Sequence, residues 1–299
     1  MAKYVIGIDF GTLSGRAVVV NVKTGEEIGS AFYNYPHAVM DRELPDGTKL
    51  PMDYALQHPQ DYLDVFKNAV PEVLSRTQVD PADVIGVGVD FTACTVLPVK
   101  ADGTPMCFLD KYKNDPMAYV MMWKHHGAQS YANKLTEIAE QRGEDFMARY
   151  GGKASSESMT PRLWQICVED HELYEDMDYY IEAGDWVIWQ LTGKQTRNSC
   201  AAGYKALYHK VDGYPSKDFY KALDPQFENV VEEKLNCPIS PIGSRAGEID
   251  TKGAALTGLK VGTAVAIANA HAGVPGHETG RSGPDAHDHG DIHLPHADL

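Results

Sequence analysis

Three β-rich runs, Tyr4–Ile8, Arg16–Val22 and Ile28–Tyr35, are packed into the start of the chain, and they constrain its fold more than any later stretch. The polar segment Asp9–Gly15 separates the first two, and a turn at Lys23-Thr24-Gly25 separates the second from the third. An antiparallel three-strand opening is therefore predicted. Its first connection reads Gly7-Ile8-Asp9-Phe10-Gly11-Thr12-Leu13-Ser14-Gly15-Arg16. Gly11 and Gly15 permit tight turns and let backbone amides approach an anion. Thr12 and Ser14 add hydroxyl donors, and Asp9 at a strand end suits Mg²⁺ as a hard oxygen ligand, directly or through water. By residue type alone, an ordinary hairpin with a polar turn fits equally well.

Further along, the spacing of Tyr62, Val65, Phe66, Ala69 and Val73 predicts a helix from Gln60 to about Arg76. Val84–Val89 is an almost wholly apolar run of buried-strand type, ending at Asp90. Val96–Val99 and the turn Ala101-Asp102-Gly103 predict a hairpin. From Asp115 to about Tyr150 the pattern is helical, broken at Arg142-Gly143. Met159–Glu169 and Asp185–Leu191 read as two more helices, and Val261–Ala268 as another buried strand. Beyond Asn269 the composition changes: six of the twelve His lie in Ala270–Leu299, which has no aromatic residue and almost no periodicity.

The net charge of -15 excludes a nucleic-acid-binding surface, which needs a basic patch. No apolar stretch approaches the length of a membrane span, and Met1-Ala2-Lys3 leads straight into a strand pattern, so neither membrane insertion nor a signal peptide is expected. The five Cys (94, 107, 167, 200 and 237) form no CxxC pair and are odd in number, which predicts reduced thiols in a cytoplasmic protein.

Val87-Gly88-Val89-Asp90-Phe91-Thr92-Ala93-Cys94-Thr95 follows a buried strand, where α/β sheets collect ligands. Small residues there let backbone and hydroxyl groups approach a polyol; on residue type alone, Cys94 is equally a buried thiol and Asp90 a turn residue. Lys205 can donate several hydrogen bonds to clustered oxygens or be a surface lysine. Trp123 can pack on a sugar's apolar face or belong to the core. His125 and His126 are adjacent, and adjacent helical residues point in different directions, so a metal pair is disfavoured.

The first motif, followed by Ala17-Val18-Val19, resembles the first phosphate motif of the actin and hexokinase superfamily and, within it, the FGGY sugar kinases. Asp90-Phe91-Thr92-Ala93-Cys94-Thr95 is similar to a stretch lining the ketopentose site of the ribulokinase subfamily, and Arg149–Glu157 and Asn198–Lys205 also resemble that subfamily. Many FGGY kinases carry Trp-x-Asp-x-Arg where this chain has Trp123-Lys124-His125-His126, a departure that points to the same subfamily.

The resemblance implies an α/β fold, an actin-like ATPase (RNase H-like) domain with a mixed sheet flanked by helices. That domain spans residues 1–269, with 270–299 an aberrant, disordered His-rich tail. It also implies phosphoryl transfer from ATP, with Mg²⁺, to a ketopentose, converting L-ribulose to L-ribulose 5-phosphate. Asp9, Gly11, Thr12 and Ser14 would serve the phosphate and metal; Thr92, Ala93, Cys94, Trp123 and Lys205 would serve the sugar. The partners implied are sugar and ATP, with no nucleic acid and no membrane, and self-association through an exposed domain interface.

Two departures qualify the implied activity. Ribulokinases place a catalytic Asp in a stretch resembling Gly/Ala-Asn-x-Asp-Ala-His, but the matching place here reads Ala268-Asn269-Ala270-His271-Ala272, without the Asp. The family's second domain is also expected to be missing, which makes this chain inactive by itself. Back-translating His289–Asp298 and reading one nucleotide later permits M-G-T-S-T-C-H-M-L, which resembles the subfamily's second phosphate motif. A frameshifted tail is therefore expected. Alternatives are a kinase for another pentulose or pentitol, or a non-catalytic sugar- or metal-binding domain using His287, His289, His293 and His296.

Overall fold

The computed structural model describes residues 2–271. Its opening is the antiparallel meander β1 (Tyr4–Phe10), β2 (Ser14–Asn21) and β3 (Glu27–Asn34). Period-two alternation sends Ile6, Ile8 and Phe10 to one face of the sheet, where all three are buried. After the short β4 (Leu56–Gln57), helix α1 (Pro59–Thr77) covers that face with Tyr62, Val65, Phe66 and Ala69. Phe10 meets Phe66 edge-on and stacks on Phe91, with centroids 5.4 and 5.0 Å apart. Each such buried aromatic contributes about 1.5–3 kcal/mol. The His58 ring accepts the Gln60 N–H to cap the helix start, and Gln78, at φ 55°, closes its end.

The chain then forms β5 (Val84–Phe91), β6 (Val96–Val99), β7 (Val120–Met121), α2 (Gln129–Arg142), α3 (Met159–Glu169), α4 (His171–Asp176), β8 (Tyr179–Glu182) and α5 (Ala183–Thr192). Next come β9 (Arg197–Asn198), α6 (Ser199–Lys205), α7 (Lys217–Leu223), α8 (Val230–Lys234), β10 (Ile239–Ser240), β11 (Arg245–Glu248), α9 (Thr251–Thr257), β12 (Ala264–Ala266) and β13 (Asn269–Ala270).

The main sheet runs β11-β12-β5-β1-β2-β3, with β13 also on β5. β5 is parallel to β1, β12 and β13, so the sheet is mixed. Its core joins the strands to α1 and α5 through Val87, Val89, Phe91, Trp186 and Ile188. A second core gathers around the antiparallel sheet β4-β7-β6-β8 and includes Leu135, Leu163, Trp164, Phe219 and Phe227.

Several expectations need correction. The predicted helical stretch from Asp115 begins instead with a 3-10 turn at Pro116–Ala118 and the strand β7; only α2 is α-helical, ending at the predicted Gly143 in a left-handed cap. Pro116 and the Asp115 side chain, which accepts the Met117 N–H, fix the short turn. The turn at Ala101–Gly103 forms, but beyond it lies a single bridge, Val99 to Pro105; the lasting partners of β6 are β7 and β8. Strand Val261–Ala268 shortens to β12, because Gly262 adopts a φ of 92° and Thr263 closes a turn onto Lys260. The expectations for residues 272–299 lie outside the described residues.

Candidate functional site

The parallel pairing of β1 and β5 places Asp9 opposite Asp90 where both strands end. Just beyond β13, His271 sets its Nε2 2.8 Å from Asp9 Oδ1 and 3.6 Å from Asp90 Oδ2. One donor atom from each of the three lies within 4.8 Å of the others. The two carboxylates suit a hard divalent cation; the imidazole adds a nitrogen that Mg²⁺ does not prefer. Burial pushes the Asp90 carboxyl upward, opposed by His271 and reinforced by Asp9. The hydrogen bond that His271 donates to Asp9 raises its pKa against the opposing effect of its burial.

Gly11 and Gly15 both lack positive φ, and the Gly11 amide already donates to the Ser14 carbonyl at 2.9 Å. Gly15 is needed for packing: a Cβ there would sit 2.4 Å from the Val65 side chain of α1. Ser14 lies in β2, opposite Asn34. Thr12 is the link to the other half of the site, since its Oγ1 accepts a 3.2 Å hydrogen bond from Trp123 Nε1.

The sugar-side residues of the sequence reading divide into two groups. At the end of β5, the Thr92 N–H donates to the Phe10 carbonyl at 3.2 Å, and its hydroxyl lies 3.2 Å from that of Thr95. Ala93 follows, its carbonyl accepting the Thr95 hydroxyl. Cys94 is held at φ 60°, a region costly for a side-chain-bearing residue. On the far side, Lys205 Nζ is 3.0 Å from Glu157 Oε2, and the Cys94 sulfur is 3.9 Å from the same oxygen. Glu157 thus joins Cys94 to Lys205. Burial works against the Lys205 charge, while the hydrogen bond and charge of Glu157 oppose it, and the ammonium is raised. Burial also pushes the Cys94 thiol up to about 12, so it is held as a neutral donor.

His125 and His126 do point apart: the buried His125 ring accepts the Ala55 N–H, while His126 meets Ser156 at 2.9 Å. All five cysteines are free. A cavity of about 770 Å³ includes Asp9 and Asp90 but runs along the outer sheet face past Gly7, Val18, Gly88 and Ile242. Cys94, Trp123 and Lys205 do not line it.

Sequence reasoning passed over Glu157 and, though it set Asp90 in the stretch similar to a sugar-lining one, gave it no role beside Asp9. The signal was present for both: Glu157 closes one of the stretches resembling the sugar kinases, and Asp90 repeats the place of Asp9 at a strand end.

Solved sugar kinases share this fold. The fold matches xylulose kinase from Rhodospirillum rubrum with a TM-score of 0.66 at 18% identity, over 90% of this chain and 49% of that one. Gluconate kinase from Lactobacillus acidophilus matches with a TM-score of 0.66 at 15% identity, over 90% and 48%. The fold is therefore an actin-like ATPase domain of the sugar-kinase type. The profile of the FGGY family of carbohydrate kinases, N-terminal domain, matches residues 4–272, and the chain belongs to that family. It is 55% identical over 277 residues to ribulokinase of Geobacillus thermodenitrificans and 54% identical over 277 residues to that of Anoxybacillus flavithermus. Each match covers 92% of this chain and 49% of the relative, so the chain spans about half the length of the curated relatives it matches.

Proposed function

We propose that these residues form the sugar and phosphate side of a kinase that transfers the γ-phosphoryl of Mg·ATP to L-ribulose. The observation that carries this reading is the Trp123–Thr12 hydrogen bond, which ties the sugar-side residues to the loop at the end of β1. Phosphoryl transfer depends chiefly on positioning donor and acceptor and on stabilising charge. Lys205, Cys94, Ala93 and Thr92 would orient the pentulose, with Glu157 aligning the ammonium. Asp9 and Asp90 would hold the cation, which supplies charge neutralisation on the phosphates. Thr12 and Ser14 would donate hydroxyls to them, and Gly11 keeps the loop short.

After Asn269 the chain carries Ala270 and His271 in place of the expected catalytic Asp, and His271 contacts Asp9. This supports a chain that binds sugar by itself but turns it over poorly. The relatives named ribulokinase support L-ribulose over other pentuloses. The reading further includes a domain boundary near Asn269 and cytoplasmic residence, in keeping with the free thiols. It also includes self-association through the outer sheet face around Val18 and Ile242. Among the described residues no helix is long and apolar enough to cross a membrane.

Calorimetric titration with L-ribulose, D-xylulose and ribitol tests the reading. L-ribulose is expected to bind tightest, and Lys205→Ala to weaken it by about tenfold or more, the loss of a charge-assisted hydrogen bond. ADP release by this chain should stay far below the ~1–100 s⁻¹ of kinases. Absence of pentulose binding, or an unchanged affinity in Lys205→Ala, overturns it.

A further inference from the structure

Arg162 lies in the first turn of α3 and is completely buried, yet among the described residues it has no carboxylate within ion-pair distance. Its guanidinium instead donates to five backbone carbonyls. Nε reaches Ser156 at 2.9 Å; Nη1 reaches Cys94 at 2.7 Å and Met121 at 3.0 Å; Nη2 reaches Met122 and His125, both at 2.9 Å. All the donors of a planar guanidinium are thereby used, a pattern that the three donors of lysine cannot reproduce.

The carbonyls come from three separate segments, and each segment presents one residue of the sugar site. The Cys94 carbonyl belongs to the turn after β5. Met121, Met122 and His125 flank Trp123, and Ser156 precedes Glu157. The Cys94 turn needs such a hold most, because its φ of 60° is unfavourable for a residue with a Cβ. Burying a cation costs several kcal/mol unless its hydrogen bonds are met, and a buried apolar residue would pack α3 without that cost. The arrangement therefore trades packing energy for a fixed relation among three loops.

We propose that Arg162 is a positioning residue for sugar binding: one guanidinium sets the mutual placement of Cys94, Trp123 and Glu157. This rests on the sugar-site reading above. It adds that pentulose affinity depends on a residue buried beneath the ligand, which touches neither sugar nor nucleotide.

Arg162→Lys, in the full 299-residue chain, is the test, with two readouts beside a thermal melt. L-ribulose affinity is read by calorimetry, and thiol accessibility by iodoacetamide labelling mapped with mass spectrometry. The variant is expected to melt cooperatively, to bind L-ribulose at least ~10-fold more weakly, and to label Cys94 faster while Cys200 and Cys237 keep their wild-type rates. A purely structural role would lower the melting temperature without this selective exposure of Cys94. Should the lysine variant not fold, Arg162→Gln, which keeps an amide donor and buries no charge, takes its place with the same readouts.

Wild-type affinity together with wild-type Cys94 labelling in a folded variant overturns the proposal. So does failure of both variants to fold, since the guanidinium would then serve the fold and not the site. If the wild-type chain binds no L-ribulose, the sugar-site reading falls by itself, and the Cys94 labelling rate still decides whether Arg162 holds the loops.

Discussion

Asp9 and Asp90 face each other in register at the ends of two parallel strands, and His271 spans the gap between them. Two carboxylates this close repel unless a cation or a proton is shared between them. In this structure the His271 imidazole lies between them, 2.8 Å from Asp9 and 3.6 Å from Asp90.

Divalent-cation binding should therefore depend on both aspartates. Mn²⁺ titrated into the chain and followed by electron paramagnetic resonance is expected to bind the wild type. Asp9→Asn and Asp90→Asn should each weaken it by about tenfold or more, the loss of one charged oxygen ligand. L-ribulose affinity should change by less than about twofold in either variant, because neither residue contacts the Glu157–Lys205 group. Unaltered Mn²⁺ binding in both variants would remove the cation from this place.

Gly15 should be intolerant of even one methyl group. Its added Cβ would lie 2.4 Å from Val65, inside the β2–α1 contact. Gly15→Ala is expected to destabilise the chain by about 1–3 kcal/mol, the usual result of overpacking. Adding Val65→Ala should recover part of that loss. A denaturant double-mutant cycle measures it, and strict additivity would show that the two residues do not clash.

Stability should fall with rising pH through a third site. Asp115 is pressed against Asp170, and its carboxyl is pushed up to about 7 from the model-compound 3.8, by burial first and then by its neighbour. Between those two values the folded chain holds a proton that the unfolded chain has lost, so stability present near pH 4 is lost as pH approaches and passes 7. Asp115→Asn keeps a capping oxygen for the Met117 N–H and removes the titration. It should raise Tm near pH 7.5 by roughly 2–4 °C, on the order of 1 kcal/mol, with little change near pH 4. An equal gain at both pH values would point to packing instead of charge.

The parts of the fold legible in the sequence were those with a regular period. The alternation through β1–β3, the helical spacing of Tyr62, Val65 and Phe66, and the apolar run of β5 each carry their own signature. The short strands β4, β7 and β8 carry none, because a strand of two to four residues is fixed by its partners rather than by its own pattern. In the candidate site, the resemblance to the sugar kinases suggested the phosphate and sugar sides, where residue types alone left a plain hairpin and a buried thiol open. They did not disclose Arg162, whose five partners are backbone carbonyls on three distant segments, nor that Gly15 serves a helix contact. The one available hint was a charged residue amid the apolar positions of α3.

The central strand β5 has a consequence for how the chain reaches this state. One of its edges waits for residues 264–270, which are separated from it by almost everything that forms the second core. During synthesis the opening meander, α1 and β5 emerge and can assemble first, while that edge stays open until the last strands arrive. An unpaired apolar edge in a growing chain is a template for wrong pairing. Ribosome-bound intermediates ending before residue 264 should accordingly be the stage at which chaperones engage this protein and at which aggregation competes most strongly with folding.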